Sequence, residues 1–167
     1  MSPKVGTDTP AVLDSRLFRK VCGQFATGIT VVTVTDPEGQ PHGLTVNSFA
    51  SISLNPLLVM VSIDLRSSVL PHFQSSASFA INVLASDQEP VSRIFATPAA
   101  QRFESVAWRP GELGVPLLDN CLAHMECSTV RSLEVGDHTV FIGEVKRAVC
   151  REGKPLIYFN SCYQSLV

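Results

Sequence analysis

The run ITVVTVT at residues 29–35 restricts the fold of this chain more than any other feature. Val, Ile and Thr lose side-chain freedom in a helix but pack well on a pleated sheet, so this run predicts a strand. The turn sequence DPEGQ follows at residues 36–40, and residues 42–54 then return as a second strand. The two strands form a predicted β-hairpin, and antiparallel pairing therefore begins early in the chain.

The segment before the hairpin predicts a helix. Asp14 or Ser15 is typical of a helix N-cap, and apolar residues follow at helical spacing, at positions 17, 18, 21 and 25. Gly28 is expected to end this helix or to lie just beyond it.

Further strands and short helices alternate after the hairpin. Asn55-Pro56 breaks the chain, and residues 57–63 predict a fully buried third strand. The remaining predictions are a short helix over 67–75 with Pro71 in its first turn, strands over 79–84, 122–130, 139–149 and 155–159, a helical segment over 88–103 interrupted by Pro98, and a loop over 106–118. About seven strands with few helices indicate a mainly β, antiparallel barrel. We expect one domain over residues 14–167, after a disordered lead-in over residues 1–13.

Composition excludes several classes of function. The net charge is −2 without a basic run, which argues against nucleic-acid binding, because phosphate neutralisation needs clustered Lys and Arg. The longest apolar runs are far shorter than the roughly 20 residues that span a bilayer, and the first residues lack the apolar core of a secretion signal. We therefore expect a cytoplasmic protein without membrane contact. The chain is 45% hydrophobic and only 17% charged, which favours a homodimer or an unusually large core.

Five cysteines occur without CxxC spacing, so we expect buried free thiols rather than a metal site. They are Cys22, Cys121, Cys127, Cys150 and Cys162. A metal site of Cys121, His124 and Cys127 is the alternative, but residues three apart on a strand point to opposite faces. Common catalytic fingerprints do not occur either: the chain has no GxGxxG after a strand, no phosphate-binding GxxxxGK[ST] and no GxSxG.

Four segments carry polar residues that allow two interpretations. TVNSFASIS at residues 45–53 suits either a solvated edge strand or the polar edge of a flat heterocycle. SIDLRSS at 62–68 predicts either a capped turn or an anion site at a helix N-terminus. GDH at 136–138 is by itself a turn, and RF at 102–103 is consistent with an ion pair beside a core ring. Asn82 lies within an apolar strand, where an amide needs partners, and we expect it to serve the fold before any ligand.

Taken in order, residues 18–64, FAINVL at 79–84, RF at 102–103 and GDHTVFIGEV at 136–145 resemble the short-chain NAD(P)H:flavin reductases. These are the small partners of two-component flavin monooxygenases, and the resemblance extends over residues 18–163. It implies a Greek-key split β-barrel of the FMN-binding type and a homodimer. It also implies hydride transfer from NADH to FAD or FMN, followed by delivery of reduced flavin to a separate monooxygenase.

The resemblance also implies which residues bind the flavin and nicotinamide cofactors. They are Thr30, Thr45, Val46, Asn47, Ser48, Ser51, Ser62, Asp64, Ser67, Ser68, Asn82, Arg102, Phe103, Asp137, His138 and Tyr163. His138 is the catalytic candidate. Hydride transfer needs no general base, so we expect His138 to position the nicotinamide or to support charge on the reduced flavin. Asp137 is expected to orient its imidazole.

Several alternatives stay open at this point. The residues do not distinguish FMN from FAD. NADH is favoured over NADPH because no basic cluster is present for a 2′-phosphate. One rival function is a non-catalytic flavin- or haem-binding barrel protein, and another is a barrel enzyme that retains its flavin and reduces a different acceptor. The GDH and RF segments favour the reductase, since a carrier has no use for a nicotinamide site.

Overall fold

The structure, a computed structural model, describes residues 13–97 and 101–166. The strands are β1 (Thr27–Gly28), β2 (Thr30–Thr35), β3 (Pro41–Val46), β4 (Ala50–Leu54), β5 (Leu57–Asp64), β6 (Ser78–Val83), β7 (Trp108–Pro110), β8 (Pro116–Leu118), β9 (Ala123–Val135), β10 (His138–Cys150), β11 (Ile157–Phe159) and β12 (Cys162–Gln164). The helices are α1 (Ser15–Cys22), α2 (Leu70–Ser75) and α3 (Glu89–Ala96), with a 3₁₀ turn at Arg102–Glu104. The expected mainly β, antiparallel fold is confirmed.

One antiparallel sheet of seven strands forms the body of the protein, in the order β3-β2-β6-β9-β10-β5-β4. Strands β3 and β4 follow each other in the chain, yet they lie at opposite edges of this sheet. The three residues between them therefore cross from one edge to the other and curl the sheet into a split barrel. We call residues 45–48, together with the facing end of β5, the seam.

The barrel interior is filled by apolar side chains from alternate strand positions. On β5 the side chains of Val59, Val61 and Ile63 are buried while their neighbours are partly exposed, as expected for a strand with one face toward the core. Phe73 of α2 caps this interior and lies against Phe141 of β10, with 5.6 Å between ring centroids. The core thus packs against β5 and β10 beside the seam.

Two smaller sheets complete the architecture. Strands β1, β11 and β12 form one of them, with Thr27 opposite Tyr158 and Tyr158 opposite Tyr163. Strands β7 and β8 form a short ribbon. The first of these sheets brings the end of the chain beside the start of the barrel.

Several sequence-based boundaries are wrong in instructive ways. Asp14 is the N-cap of α1 and accepts a hydrogen bond from the Leu17 N–H at 2.7 Å, as expected, but the helix ends at Cys22 because Gly23 forms its C-cap. Residues 42–54 form two strands and not one, since the chain changes sheet edge between them. Residues 57–63 are not fully buried but alternate between the two faces of the sheet.

Two other predicted segments differ from the structure: a turn replaces the start of a predicted helix, and a predicted loop contains strands. Helix α2 begins at Leu70 and not at Ser67, since residues 64–67 close a turn in which the Ser67 N–H donates to the Asp64 carbonyl at 2.9 Å. The expected loop over 106–118 contains the β7–β8 ribbon. Pro98 and most of the expected disordered lead-in lie outside the described residues.

The cysteines divide into two groups. Cys121 and Cys127 are buried, and burial raises the pKa of each thiol to about 12, so both are neutral. Cys22, Cys150 and Cys162 are exposed in the single chain, so the expectation that all five are buried was wrong for these three. In the part of the chain that the structure describes, no helix combines the length and apolar character needed to cross a membrane.

Candidate functional site

A polar cleft of about 230 Å³ opens at the seam. It is lined by Leu44, Thr45, Val46, Asn47, Ser48, Ser62, Ile63, Asp64 and His138. Seven of the sixteen residues named from the sequence therefore meet in one place, although they come from three separate segments. Because β3 is an edge strand, part of its backbone faces this opening without a strand partner.

Hydroxyl groups hold the seam together. The Ser48 hydroxyl accepts a hydrogen bond from the Ser62 N–H and donates one to the Ser62 carbonyl, both at 3.0 Å. The hydroxyl of Thr30, which is almost completely buried, donates to the Val46 carbonyl at 3.0 Å. These two side chains hold the backbone of the cleft wall in place. Asn47, between Val46 and Ser48 in the chain, is exposed.

A bidentate ion pair lies at one end of the cleft. Arg66 donates from Nε to Asp64 Oδ1 at 3.0 Å and from Nη2 to Oδ2 at 2.7 Å, and its backbone N–H also reaches Oδ1 at 2.8 Å. The hydrogen bonds from Arg66 hold the pKa of the Asp64 carboxyl well below its usual range. Asp64 is therefore a carboxylate at neutral pH, and the exposed Arg66 is its partner.

The GDH turn faces the same strand end. Gly136 adopts a φ of 62°, in the left-handed region that favours glycine, and the turn places His138 opposite Asp64 in the register of β10 and β5. His138 Nδ1 lies 2.6 Å from Asp137 Oδ1, and this hydrogen bond lowers the pKa of Asp137. Nδ1 is thus the donor toward the carboxylate, which leaves Nε2 of a neutral imidazole as an acceptor.

A second cleft of about 210 Å³ shares Thr45, Val46 and Asn47 with the first. Its other walls are Ile29, Ala96, Tyr158 and Tyr163. The Tyr163 hydroxyl lies 2.9 Å from Ser92 Oγ, and Thr45 Oγ1 donates to the Ser92 carbonyl at 2.7 Å. Helix α3 therefore links Tyr163 to the seam, and the two clefts adjoin along residues 45–47.

Ser68, Arg102 and Phe103 lie in a separate groove of about 310 Å³, which they line together with Pro41, His42, Gly43, Val69 and His72. Arg102 donates to the Gly43 carbonyl and, from Nε, to the Thr97 carbonyl at 3.0 Å. Burial lowers the pKa of its guanidinium. Phe103 packs edge-on against Phe95, with ring centroids 5.0 Å apart. Both residues have structural partners in this groove, which is lined by the first residues of β3.

The remaining named residues lie away from these clefts. Asn82 is fully buried; its amide donates to the Val31 carbonyl at 3.0 Å and accepts from the Leu118 N–H at 2.8 Å, which supports the expectation that it serves the fold. Ser51 is exposed on β4 opposite Val59. Ser67 accepts from the Val69 N–H at 3.3 Å in the turn before α2.

Sequence reasoning missed some residues that line the site. Leu44 and Ile63 flank the first cleft, and Tyr158 lines the second. For Tyr158 a signal existed, because it and Tyr163 are the chain's only tyrosines and face each other across β11 and β12.

The antiparallel split barrel and the polar cleft at its seam are typical of split-barrel flavin reductases. Solved flavin reductases have the same fold. Residues 22–167 match the family described as "Flavin reductase like domain". This match covers most of the chain, and the protein belongs to that family.

Relatives with assigned activities match most of this chain. The chain is 44% identical to the FMN reductase (NADH) SmoA of Agrobacterium fabrum, over 92% of this chain and 87% of that protein. It is 40% identical to the reductase component of the flavin-dependent trigonelline monooxygenase of Acinetobacter baylyi, over 94% of this chain but only 51% of that longer protein. The NADH:FAD oxidoreductase SgcE6 of Streptomyces globisporus, solved with NAD and FAD fragments, superimposes with a TM-score of 0.88 at 35% identity, over 95% of this chain and 98% of that one.

Proposed function

We propose that this protein is an NADH-dependent flavin reductase that passes reduced FMN or FAD to a separate monooxygenase. The observation that carries the proposal is the seam cleft, in which the backbone edge of β3, the Asn47 amide and the His138 imidazole converge. The similar proteins named above are an FMN reductase, an FAD reductase and a monooxygenase component, and they support the same reaction for this chain.

The residues present fit an isoalloxazine. Its polar edge presents alternating donors and acceptors, and residues 45–48 offer an amide, hydroxyls and an edge-strand backbone. A bound flavin supplies the acceptor for a hydride from the nicotinamide. In our proposal Asn47 and the backbone around it bind the flavin edge, while Ser48 and Thr30 keep that wall in place.

His138 has a separate task in the proposed reaction. Its Nδ1 is hydrogen-bonded to Asp137, which orients the imidazole, and the residue lines the cleft. We assign it to orienting the nicotinamide, because hydride transfer needs the two rings stacked at a short distance and needs no general base. In the alternative assignment, the same imidazole supports negative charge on the reduced flavin.

The shape of the site favours a flavin that leaves after reduction. Each of the two adjoining clefts is smaller than the roughly 300–1,000 Å³ of a typical small-molecule pocket. A flavin here would stay partly exposed in the single chain and bind with modest affinity, as delivery to a second enzyme requires. We propose that this reaction takes place in the cytoplasm and uses NADH in preference to NADPH.

We also propose a homodimer. Helix α1 exposes Phe18 and Val21 at 59% and 61%, and Phe25 beyond it is 77% exposed. Such a row of large apolar side chains is unfavourable in water and is typical of a surface that another subunit covers. Light scattering with size-exclusion chromatography at several concentrations tests the stoichiometry. A stable monomer would contradict this part of the proposal.

The reaction itself is tested by measuring NADH oxidation with FMN, FAD or riboflavin added to purified protein. We expect the rate to saturate with added flavin and to be lower with NADPH. A tightly bound yellow cofactor and no response to added flavin would instead favour a carrier or an enzyme that retains its flavin.

A further inference from the structure

Three potential metal ligands from three different elements meet beside the groove that contains Arg102. Asp36 belongs to the turn after β2, His42 to β3 and His72 to α2. Asp36 Oδ2 lies 2.7 Å from His42 Nε2 and 3.9 Å from His72 Nδ1. The two imidazole rings stack with 3.4 Å between centroids, and all three ligand atoms lie within 4.8 Å of one another.

The chemistry of the cluster suits a cation. Asp36 supplies a carboxylate oxygen, and His42 and His72 supply imidazole nitrogens, which bind metals in their neutral form.

We propose that Asp36, His42 and His72 form a binding site for a divalent transition-metal ion such as Zn²⁺. Two imidazole nitrogens and one carboxylate oxygen are a ligand set that Zn²⁺, Co²⁺ and Ni²⁺ accept, whereas Mg²⁺ and Ca²⁺ prefer oxygen ligands throughout. Three protein ligands leave at least one coordination position for water, and the adjoining groove of about 310 Å³ has room for it.

Binding requires the two rings to leave their parallel arrangement. An imidazole nitrogen coordinates in the plane of its ring, and planes only 8° apart do not converge on one ion. The His42 and His72 side chains are 26% and 33% exposed and therefore have space to rotate. Asp36 is 8% exposed and held by the Gln40 N–H at 2.7 Å, so it serves as the fixed ligand.

The position of the ion gives it a structural consequence. It would tie the β2–β3 hairpin to α2, and His42 is adjacent to Gly43, whose carbonyl accepts from Arg102. Any ion that binds the folded chain more tightly than the unfolded chain raises the unfolding temperature. We therefore expect metal binding to stabilise the protein even when no flavin or nicotinamide is present, which makes this inference independent of the reductase activity.

Zn²⁺ affinity should be measured by competition with a chromophoric chelator, on protein stripped of metal. Since Cys22, Cys150 and Cys162 are exposed and thiolates bind Zn²⁺, these three are first replaced by Ser. We expect one ion per chain and a raised unfolding temperature. His42→Ala and His72→Ala should each lower the affinity by at least about tenfold, the lower end of what loss of a supporting group costs at metal sites.

The matched control is His138→Ala, which removes a half-exposed histidine that also pairs with an aspartate but lies on the seam. Its Zn²⁺ affinity should equal that of the parent protein. Co²⁺ provides a second readout, because nitrogen and oxygen ligation gives visible bands without thiolate charge transfer. The proposal is overturned if the cysteine-substituted parent binds no Zn²⁺, or if His42→Ala and His72→Ala bind it as tightly as the parent does.

Discussion

Ser48 and Ser62 are joined by two hydrogen bonds through a single side-chain oxygen. Ser48 Oγ accepts from the Ser62 N–H and donates to the Ser62 carbonyl, each at 3.0 Å. A hydroxyl thereby takes the place of a neighbouring strand, at the point where the sheet would otherwise have an unpaired edge. The seam that bears the candidate site is closed by this side chain.

Replacing Ser48 by Ala should therefore destabilise the fold as well as the site. The Ser62 N–H and carbonyl both lose their partner in a partly buried position, and we expect a loss of about 1–3 kcal/mol in the free energy of unfolding. Chemical denaturation measures this. Ser51→Ala, on the exposed edge strand β4, is the control and should change stability by less than about 0.5 kcal/mol. Equal stability of the two variants would contradict the role of Ser48.

Asn82→Ala should separate a structural residue from a cofactor-binding one. The substitution leaves the Leu118 N–H without its acceptor and opens a small cavity between β2 and β6, so we expect a loss of about 2–4 kcal/mol in stability. Flavin affinity of the folded protein should stay unchanged. Equilibrium unfolding and a flavin fluorescence titration measure the two quantities, and a selective loss of flavin binding would show that Asn82 belongs to the site.

The ion pair of Asp64 and Arg66 predicts how the stability of the fold depends on pH. Arg66 lowers the pKa of Asp64 in the folded protein, so Arg66→Ala should raise that pKa toward 3.8. Since the folded pKa lies below the unfolded one, the stabilisation is complete above about pH 4 and is lost as the pH falls toward the folded value. Carboxyl NMR titration of wild type and variant tests this. Arg147→Ala, which breaks a distant surface pair with Glu112, should leave the Asp64 titration unchanged.

His138→Ala should affect the nicotinamide more than the flavin. Removing the hydrogen-bonding imidazole should cost about 1.5 kcal/mol or more in binding or transition-state stabilisation. We therefore expect KM for NADH to rise about tenfold, or flavin reduction to slow by a similar factor. Flavin affinity should change by less than about threefold. Glu134→Gln, an exposed residue across the β9–β10 ladder, is the control. An unchanged dependence on NADH would remove His138 from the nicotinamide site.

The sequence predicted the fold well where local signals agree with the tertiary structure. The run at 29–35 became β2, and FAINVL became most of β6, because β-branched and apolar residues there are buried on the sheet. The crossing after Val46 escaped prediction, since nothing local shows that a chain continues at the far edge of its sheet. For the same reason the approach of Ser48 to Ser62 was not foreseen, although both residues were named.

Residues that meet only through topology were the hardest to predict. Asp36, His42 and His72 carry no recognisable spacing, and only the packing of α2 against the hairpin brings His72 to the other two. Arg102 and Phe103 were named together with the seam residues, but the structure places them in the neighbouring groove. Their hydrogen-bond and aromatic partners come from other segments of the chain, and the sequence alone does not show that these segments come together.

The central claim is that flavin binds at the seam and is reduced there by NADH. It is tested most directly by titrating FMN and FAD into NADH oxidation assays of wild type and Asn47→Trp. Asn47 is exposed and lines both clefts, so the indole should fill the site without unfolding the chain. We predict saturable, flavin-dependent turnover in the wild type and a flavin affinity at least about tenfold weaker in the variant, which corresponds to 1.4 kcal/mol. No flavin-dependent turnover in the wild type, or equal flavin affinities in the two proteins, would contradict the account.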